Sequence, residues 1–363
     1  MSFHEGIMWF AAIGAVLGGV DHLCGNKLGL GKKFQEGLDI MGALALSMTG
    51  IIVLAPVLAG WLQPVLLSVF RFMHADSALF ASIIANDMGG YPLAMLLAES
   101  REMGLLSGCI IASMLGCTLT YSIPLGFGII DKEHNGDFVH GLLLGLTTIP
   151  VGGVVGGLIA GFDPAAVLIN NVPIAIVSIG LAIGFKLWPK AVRKLAEGFC
   201  TLIRWIAVAG IVIGAFTKLT GVVVPGFEDA DSLMAAFAVV AEIAVTLIGI
   251  LPMLELLMRL LKKPLNAIGK RIGINSVAAG GMIYTLANPL PVFSMFRDMD
   301  KRGRIVNVAW LVTASAALGD HLGFTAGVEP EMIVPMIAGK LIAAVCAAAL
   351  VLFQTRKMDE SEA

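Results

Sequence analysis

The sequence predicts an all-α, polytopic membrane protein with about nine transmembrane helices and two re-entrant hairpins, arranged as two inverted repeats. Three observations lead there. Of the residues 58% are hydrophobic and 14% charged, the apolar residues gather into blocks long enough to cross a bilayer, and two blocks are interrupted by helix breakers. An ordinary soluble domain has about 45–50% apolar and about 25% charged residues. The surplus of apolar surface needs lipid.

The uninterrupted blocks lie at 6–23, 38–60, 103–130, 138–161, 165–188, 199–220, 233–261, 304–325 and 332–353. As helices, such blocks match a hydrocarbon core about 30 Å thick. His4 and Glu5 precede the first block in place of the basic region of a secretory signal, so 6–23 reads as a retained span. Glycines at four-residue spacing inside the blocks, such as Gly14 and Gly18, Gly152 and Gly156, Gly180 and Gly184, and Gly210 and Gly214, let helix backbones approach closely. No Lys-Ser or Lys-Thr follows them, which argues against a phosphate loop.

The blocks at 77–98 and 276–295 differ. The first contains Asn86-Asp87-Met88-Gly89-Gly90-Tyr91-Pro92 and the second Asn288-Pro289-Leu290-Pro291. If all eleven blocks crossed, the basic loops at Lys27, Lys32 and Lys33 and at Lys186, Lys190, Arg193 and Lys194 would face opposite sides, against the rule that short basic loops stay in the cytoplasm. Treating both interrupted blocks as hairpins puts these loops, and those around Lys262, Lys263, Lys270 and Arg271 and around Arg297, Lys301, Arg302 and Arg304, on one side. The acidic connections at Glu228, Asp229 and Asp231 and at Glu329 and Glu331 then lie outside; the acidic 131–137 connection is a weak violation.

Leu54-Ala55-Pro56, Gln63-Pro64 and Ala85-Asn86 are echoed in order by Leu251-Pro252, Lys263-Pro264 and Ala287-Asn288. The chain therefore divides into a first repeat at 1–162 with hairpin 77–98, a linker span and basic loop at 163–198, and a second repeat at 199–363 with hairpin 276–296. Inverted halves with broken segments at matching places are typical of secondary transporters that hold a small solute near the midplane. Broken backbone at membrane depth must be buried or line a wet cavity.

Charged residues inside apolar blocks are functional candidates because their insertion is costly. Asp87 with Asn86 sits in the first break, where a carboxylate could grip a cation, or cap a half-helix. Asp320 and His321 lie deep in 304–325; they could bind a cation or relay a proton, with a structural hydrogen bond for Asp320 and a satisfied core imidazole for His321 as alternatives. Asn288 mirrors Asn86 and could equally be a turn residue. Glu242 lies inside 233–261, whereas Glu36 and Asp39 stand near an interface. Tyr91, Tyr121 and Tyr284 could face a cation, or pack.

No hydrolase elbow, zinc-binding spacing or dinucleotide fingerprint is present, and the six histidines are scattered, so neither an enzyme nor a resident cofactor or metal is expected. Five cysteines without ligand spacing read as inert thiols. With a net charge of -2 and no basic tail, nucleic acid is not an expected partner; a lipid bilayer and further copies of the chain are.

Several motifs together resemble the ethanolamine utilisation permease family: Glu36-Gly37 followed by Met41-Gly42-Ala43-Leu44-Ala45-Leu46, Asp87-Met88-Gly89-Gly90, Asn288 with Pro291, and Gly319-Asp320-His321-Leu322-Gly323-Phe324. Thr148-Ile149-Pro150, Lys263-Pro264, Met299-Asp300 with Arg302-Gly303, and Gly339-Lys340-Leu341-Ile342 resemble it in the same order, over nearly the whole chain. The resemblance implies a bacterial inner-membrane facilitator that takes up ethanolamine as its ammonium form for a cytosolic lyase pathway. Asp87 or Asp320 would then hold the ammonium, and Asn86 or Asn288 the hydroxyl; Tyr91, His321 and Glu242 are the further candidates. The alternative is a sodium- or proton-coupled carrier of another small polar solute, such as a nucleoside.

Overall fold

The computed structural model describes residues 3–84 and 90–361, and no strand occurs among them. Among the described residues, eight helical segments are long and apolar enough to cross a membrane. The chain is an all-α, multi-pass membrane protein.

α1 (Phe3–Leu23) ends at a turn tied by Asp21, whose carboxylate accepts the N–H groups of Leu28 (2.8 Å) and Gly31 (2.9 Å). That contact starts α2 (Leu30–Asp39), an amphipathic helix that buries Leu30, Gly31 and Gly37. The chain continues through Met41–Leu44 and a π-helical turn at Ala45–Thr49 into α3 (Gly50–Phe72). The span expected at 38–60 is therefore longer, because Pro56 and Pro64 are both carried inside α3. Prolines are tolerated in membrane helices whose neighbours satisfy the carbonyls that they free.

The first interrupted block contains two short helices, α4 (Leu79–Ile84) and α5 (Tyr91–Leu97). Its two ends meet at Asp76, whose carboxylate accepts the N–H groups of Ala78 (2.8 Å), Glu99 (3.0 Å) and Ser100 (3.1 Å). The helical segment α6 (Arg101–Ile129) follows, wound as a π-helix over Leu106–Gly116 and Thr118–Ser122. Every residue from 103 to 120 is buried, so this span sits at the centre of the bundle.

Around it stand α7 (Asn135–Ile159), α8 (Pro164–Leu187) and α9 (Pro189–Thr220). Then α10 (Leu233–Ile272) runs for 40 residues through Pro252 and Pro264. The second interrupted block consists of α11 (Ser276–Ala287) and α12 (Leu290–Ser294). Its ends also meet at a carboxylate, as Asp300 accepts the Asn275 N–H (2.8 Å) while the Asn275 amide donates to the Asp298 carbonyl (2.9 Å).

The block 304–325 is not one continuous helix. It forms α13 (Lys301–Ala314) and α14 (Asp320–Val328), separated at 315–319, before α15 (Ile333–Ser361) closes the chain. No proline causes this break; its origin is a contact with α11, described below.

α7 packs against α8, α13 and α15; α1 packs against α10, and α9 against α3. The close-approach glycines mostly do what their spacing predicts. A Cβ on Gly210 would overlap the Gly50 backbone, and one on Gly14 the backbone of Gly249. Gly180 is the exception: nothing lies within 4 Å of the Cβ it lacks, and it opens outward.

Candidate functional site

α11 stops at Asn288 because Pro289 follows. A residue before proline is pushed out of the helical region, and Asn288 adopts φ -160 and ψ 127. The last carbonyls of α11 are thereby left without helical partners. Two of them are taken up by the other break: Ala316 N–H donates to the Thr285 carbonyl and Leu318 N–H to the Leu286 carbonyl, each at 2.8 Å. To reach them the chain turns at Ala316, with φ 52, a left-handed conformation that costs a non-glycine residue free energy. Gly319 passes so close that a Cβ there would overlap the Ala287 carbonyl oxygen. The two broken segments hold each other open.

Two cavities flank this junction, and Asn288 and Asp320 line both. One, about 240 Å³, is bounded by Lys33, Glu36, Glu255 and Tyr284 as well. The other, about 340 Å³, is bounded also by Ser47, Cys117, Tyr121 and Ser315. Asp320 is half-buried and is the first residue of α14, where aligned peptide dipoles favour negative charge. The Asn288 side-chain carbonyl accepts the Leu290 N–H (2.9 Å), as a turn residue would. The same side chain carries two amide N–H donors.

His321 lines the larger cavity and is fully buried. Its Nδ1 lies 2.6 Å from Nζ of Lys340, which is also fully buried and donates to the Ser113 carbonyl (2.6 Å). Ser113 belongs to the π-helical part of α6, where widened winding changes the usual carbonyl pairing.

The end of α14 away from Asp320 is closed. The Tyr91 hydroxyl donates to Glu329 Oε1 (2.6 Å), and Arg101 grips both carboxylate oxygens of Glu329 (3.0 and 2.8 Å) while reaching Glu331 (3.1 Å). The Tyr91 ring stands edge-on to Phe324, with centroids 5.8 Å apart. At 1.5 Å per residue, this cluster lies about 13 Å along α14 from Asp320. α10 runs antiparallel beside α14: Glu242 stands by Gly327, Leu247 by Gly323, and Glu255 beyond Asp320 in the smaller cavity. Hence Glu255, Glu36 and Lys33 mark the opposite end from Arg101 and Glu329.

Of the candidates read from the sequence, Asp320, Asn288 and His321 converge. Tyr91 stands apart, at the closed end. Glu242 is exposed and lines neither cavity. Asn86 and Asp87 lie outside the described residues. Lys340 was not singled out as a site residue, although it is the sole charged side chain in the block 332–353 and could have been found on that ground. Arg101 and Glu329 gave no such signal, because both stand at block ends.

The sequence pattern of the family described as ethanolamine utilisation protein, EutH, matches residues 3–353. A probable ethanolamine permease EutH of Listeria monocytogenes (serotype 1/2a, strain 10403S) is 43% identical over 360 residues, covering 99% of this chain and 96% of that protein. A probable ethanolamine permease EutH of Escherichia coli K12 is 38% identical, covering 91% and 87%. The protein YxeR of Bacillus subtilis 168, described as uncharacterized, is 36% identical over 98% and 96%. No solved structure matches the chain. From residue 3 to residue 353 the chain thus belongs to the EutH family of ethanolamine utilisation proteins.

Proposed function

We propose that this protein carries ethanolamine, as its ammonium form, across a bacterial inner membrane, and that Asp320 and Asn288 hold the solute. The reading rests on one observation: a carboxylate and an amide from two broken segments converge on contiguous cavities at membrane depth. The relatives' names carry the choice of solute. Ethanolamine is protonated near neutral pH, as a lysine amine is, and its hydroxyl needs a donor or an acceptor. Asp320 takes the ammonium, and the Asn288 amide donates to the hydroxyl oxygen.

The cavities open toward the end bearing Lys33, Glu36 and Glu255, which the basic loops assign to the cytoplasm. The opposite end is shut by Tyr91, Arg101 and Glu329. This is an inward-facing state, and uptake requires that cluster to part while the cytoplasmic cavity closes. Two inverted repeats, 1–162 and 199–363 joined by 163–198, would supply the two alternating arrangements. Support comes from reciprocal packing: α1 lies on α10 of the other half as α9 lies on α3, and both hairpins have their ends joined at a carboxylate.

The experiment is uptake of labelled ethanolamine into proteoliposomes at low concentration and acidic pH, where the neutral amine that crosses lipid unaided is scarcest. Asp320→Asn abolishes saturable uptake. Unchanged uptake in Asp320→Asn overturns the proposal.

A further inference from the structure

The first half of α9 has two faces. One turns into the bundle: Ala196, Ile203 and Ala207 are buried, the Cys200 thiol donates to the Thr120 carbonyl of α6 (3.3 Å), and a Cβ on Gly184 of α8 would meet Val192. The other turns away from it. There Ala191, Lys194, Leu195, Gly198, Phe199 and Leu202, recurring at the three- and four-residue spacing of one helix face, line a shallow and mostly apolar recess of about 560 Å³. Gly198 keeps it open, since nothing lies within 4 Å of the Cβ it lacks. Leu195 is 70% exposed, and Trp205, about one turn beyond Leu202 in the same row, is 69% exposed.

One end of this recess is charged. The turn from α8 into α9 carries Lys186, Lys190, Arg193 and Lys194, the basic loop that the charge rule assigns to the cytoplasm. Arg193 is committed within the protein: its Nε donates to Glu197 (2.7 Å), and its guanidinium stands 4.8 Å from the centre of the Phe127 ring. The three lysines are not. Lys186, Lys190 and Lys194 are exposed, and no carboxylate pairs with them among the described residues. Lys190 and Lys194 stand four residues apart on one helix, where like charges repel, and no acid occupies the first turn of α9 to offset them.

We propose that this face of α9 binds an anionic phospholipid of the cytoplasmic leaflet. Lys190 and Lys194 hold the phosphate, and an acyl chain runs along Leu195, Gly198 and Leu202 toward Trp205. Cations without an internal counter-ion at the rim of an apolar recess complement a molecule with an anionic head and an apolar tail. Basic clusters directly cytoplasmic of a membrane helix attract anionic lipid, and the attraction fades within a Debye length, so it favours a headgroup seated at the lysines themselves. A second copy of the chain fits the face less well. A two-fold contact through the same patch brings two rows of lysines into one interface and desolvates them together. The lipid site does not depend on which solute the protein carries.

The test reads Trp205. The intact protein is reconstituted into phosphatidylcholine vesicles that carry a minor fraction of either brominated phosphatidylglycerol or brominated phosphatidylcholine, whose acyl bromines quench nearby indoles. The Trp205 contribution is the difference between wild type and Trp205→Phe. Brominated phosphatidylglycerol is at least about fivefold more effective at Trp205 than brominated phosphatidylcholine, and in Lys190→Gln/Lys194→Gln that selectivity falls below about twofold. Gly198→Leu, which fills the recess and leaves the lysines in place, also lowers it, whereas Lys27→Gln/Lys32→Gln, on another basic loop, leaves it intact. Equal quenching by the two lipids in wild type overturns the proposal. So does an equal loss of selectivity in Lys27→Gln/Lys32→Gln, which would mean a general attraction of the basic surface, or a selectivity untouched by Gly198→Leu. If neither lipid quenches Trp205, the face is covered by protein, and the proposal fails in favour of a second copy.

Discussion

Tyr91 and Glu329, 238 positions apart in the chain, are joined by a 2.6 Å hydrogen bond that ties α5 to the end of α14. Arg101 completes the clasp from the start of α6. A charge-assisted hydrogen bond contributes about 1.5–3 kcal/mol, enough to shift a two-state population by tenfold or more. Removing it with Tyr91→Phe or Glu329→Gln frees the outer end. Cys117, which lines the larger cavity, reports this when the other cysteines are replaced. A membrane-impermeant thiol reagent added outside labels Cys117 at least several-fold faster in either variant than in the parent. Equal labelling rates would show that the clasp does not guard the cavity.

Asp320 and Asn288 differ in what they offer, and their variants should differ too. Removing one partner of a desolvated charge pair costs about 2–5 kcal/mol, so Asp320→Asn weakens ethanolamine binding by at least about 30-fold. Asn288→Ala removes a neutral donor worth about 1 kcal/mol, or about fivefold. Binding isotherms on detergent-solubilised protein separate the two, and a larger loss at Asn288 would reverse the assignment.

Where the two ends of the first interrupted block meet, Asp76 accepts three backbone N–H groups. Asp76→Ala leaves those donors unsatisfied and lowers stability by about 2–3 kcal/mol. Asp300→Ala should do the same at the ends of the second interrupted block, where the N–H groups of Asn275 and Gly303 lose their acceptor. Thermal unfolding followed by circular dichroism checks both.

Two glycine substitutions make a matched pair. Gly319→Ala drives a methyl group into the Ala287 carbonyl and parts the two broken segments, abolishing uptake. Gly180→Ala meets nothing within 4 Å and raises helix propensity by up to about 1 kcal/mol, leaving uptake intact. Equal tolerance at the two positions would mean that the junction of the breaks is not required.

The break in the block 276–295 was legible in the sequence because its signal is local: Asn288-Pro289 ends a helix by steric conflict within two residues. The break at 315–319 was not, because its cause is the pair of carbonyls left open on α11, a tertiary contact that no pattern in 304–325 encodes. Gly319 was a hint, and becomes informative only once Ala287 is known to lie against it. Pro64 and Pro264 lie just past the blocks read at 38–60 and 233–261, and the helices run on through them, since helices packed in a bundle accommodate proline. Within the candidate site, the one-dimensional rule that intramembrane charges are functional candidates raises Asp320, and Lys340 in the block 332–353 answers to the same rule. That rule also raised Glu242, which the fold places on an exposed face.

The burial of α6 has a consequence for how the protein is made. Its mean hydropathy of 1.7 suits a segment that leaves the ribosome and enters lipid before α7, α13 and α15 exist. Its Ser107, Ser113, Thr118, Thr120 and Ser122 suit the finished bundle, in which no acyl chain reaches them. One stretch of sequence therefore satisfies two solvents in succession, first the bilayer during biogenesis and then the protein itself. A polar substitution in α6 should be felt first as a failure of insertion, before any effect on the assembled carrier can be seen.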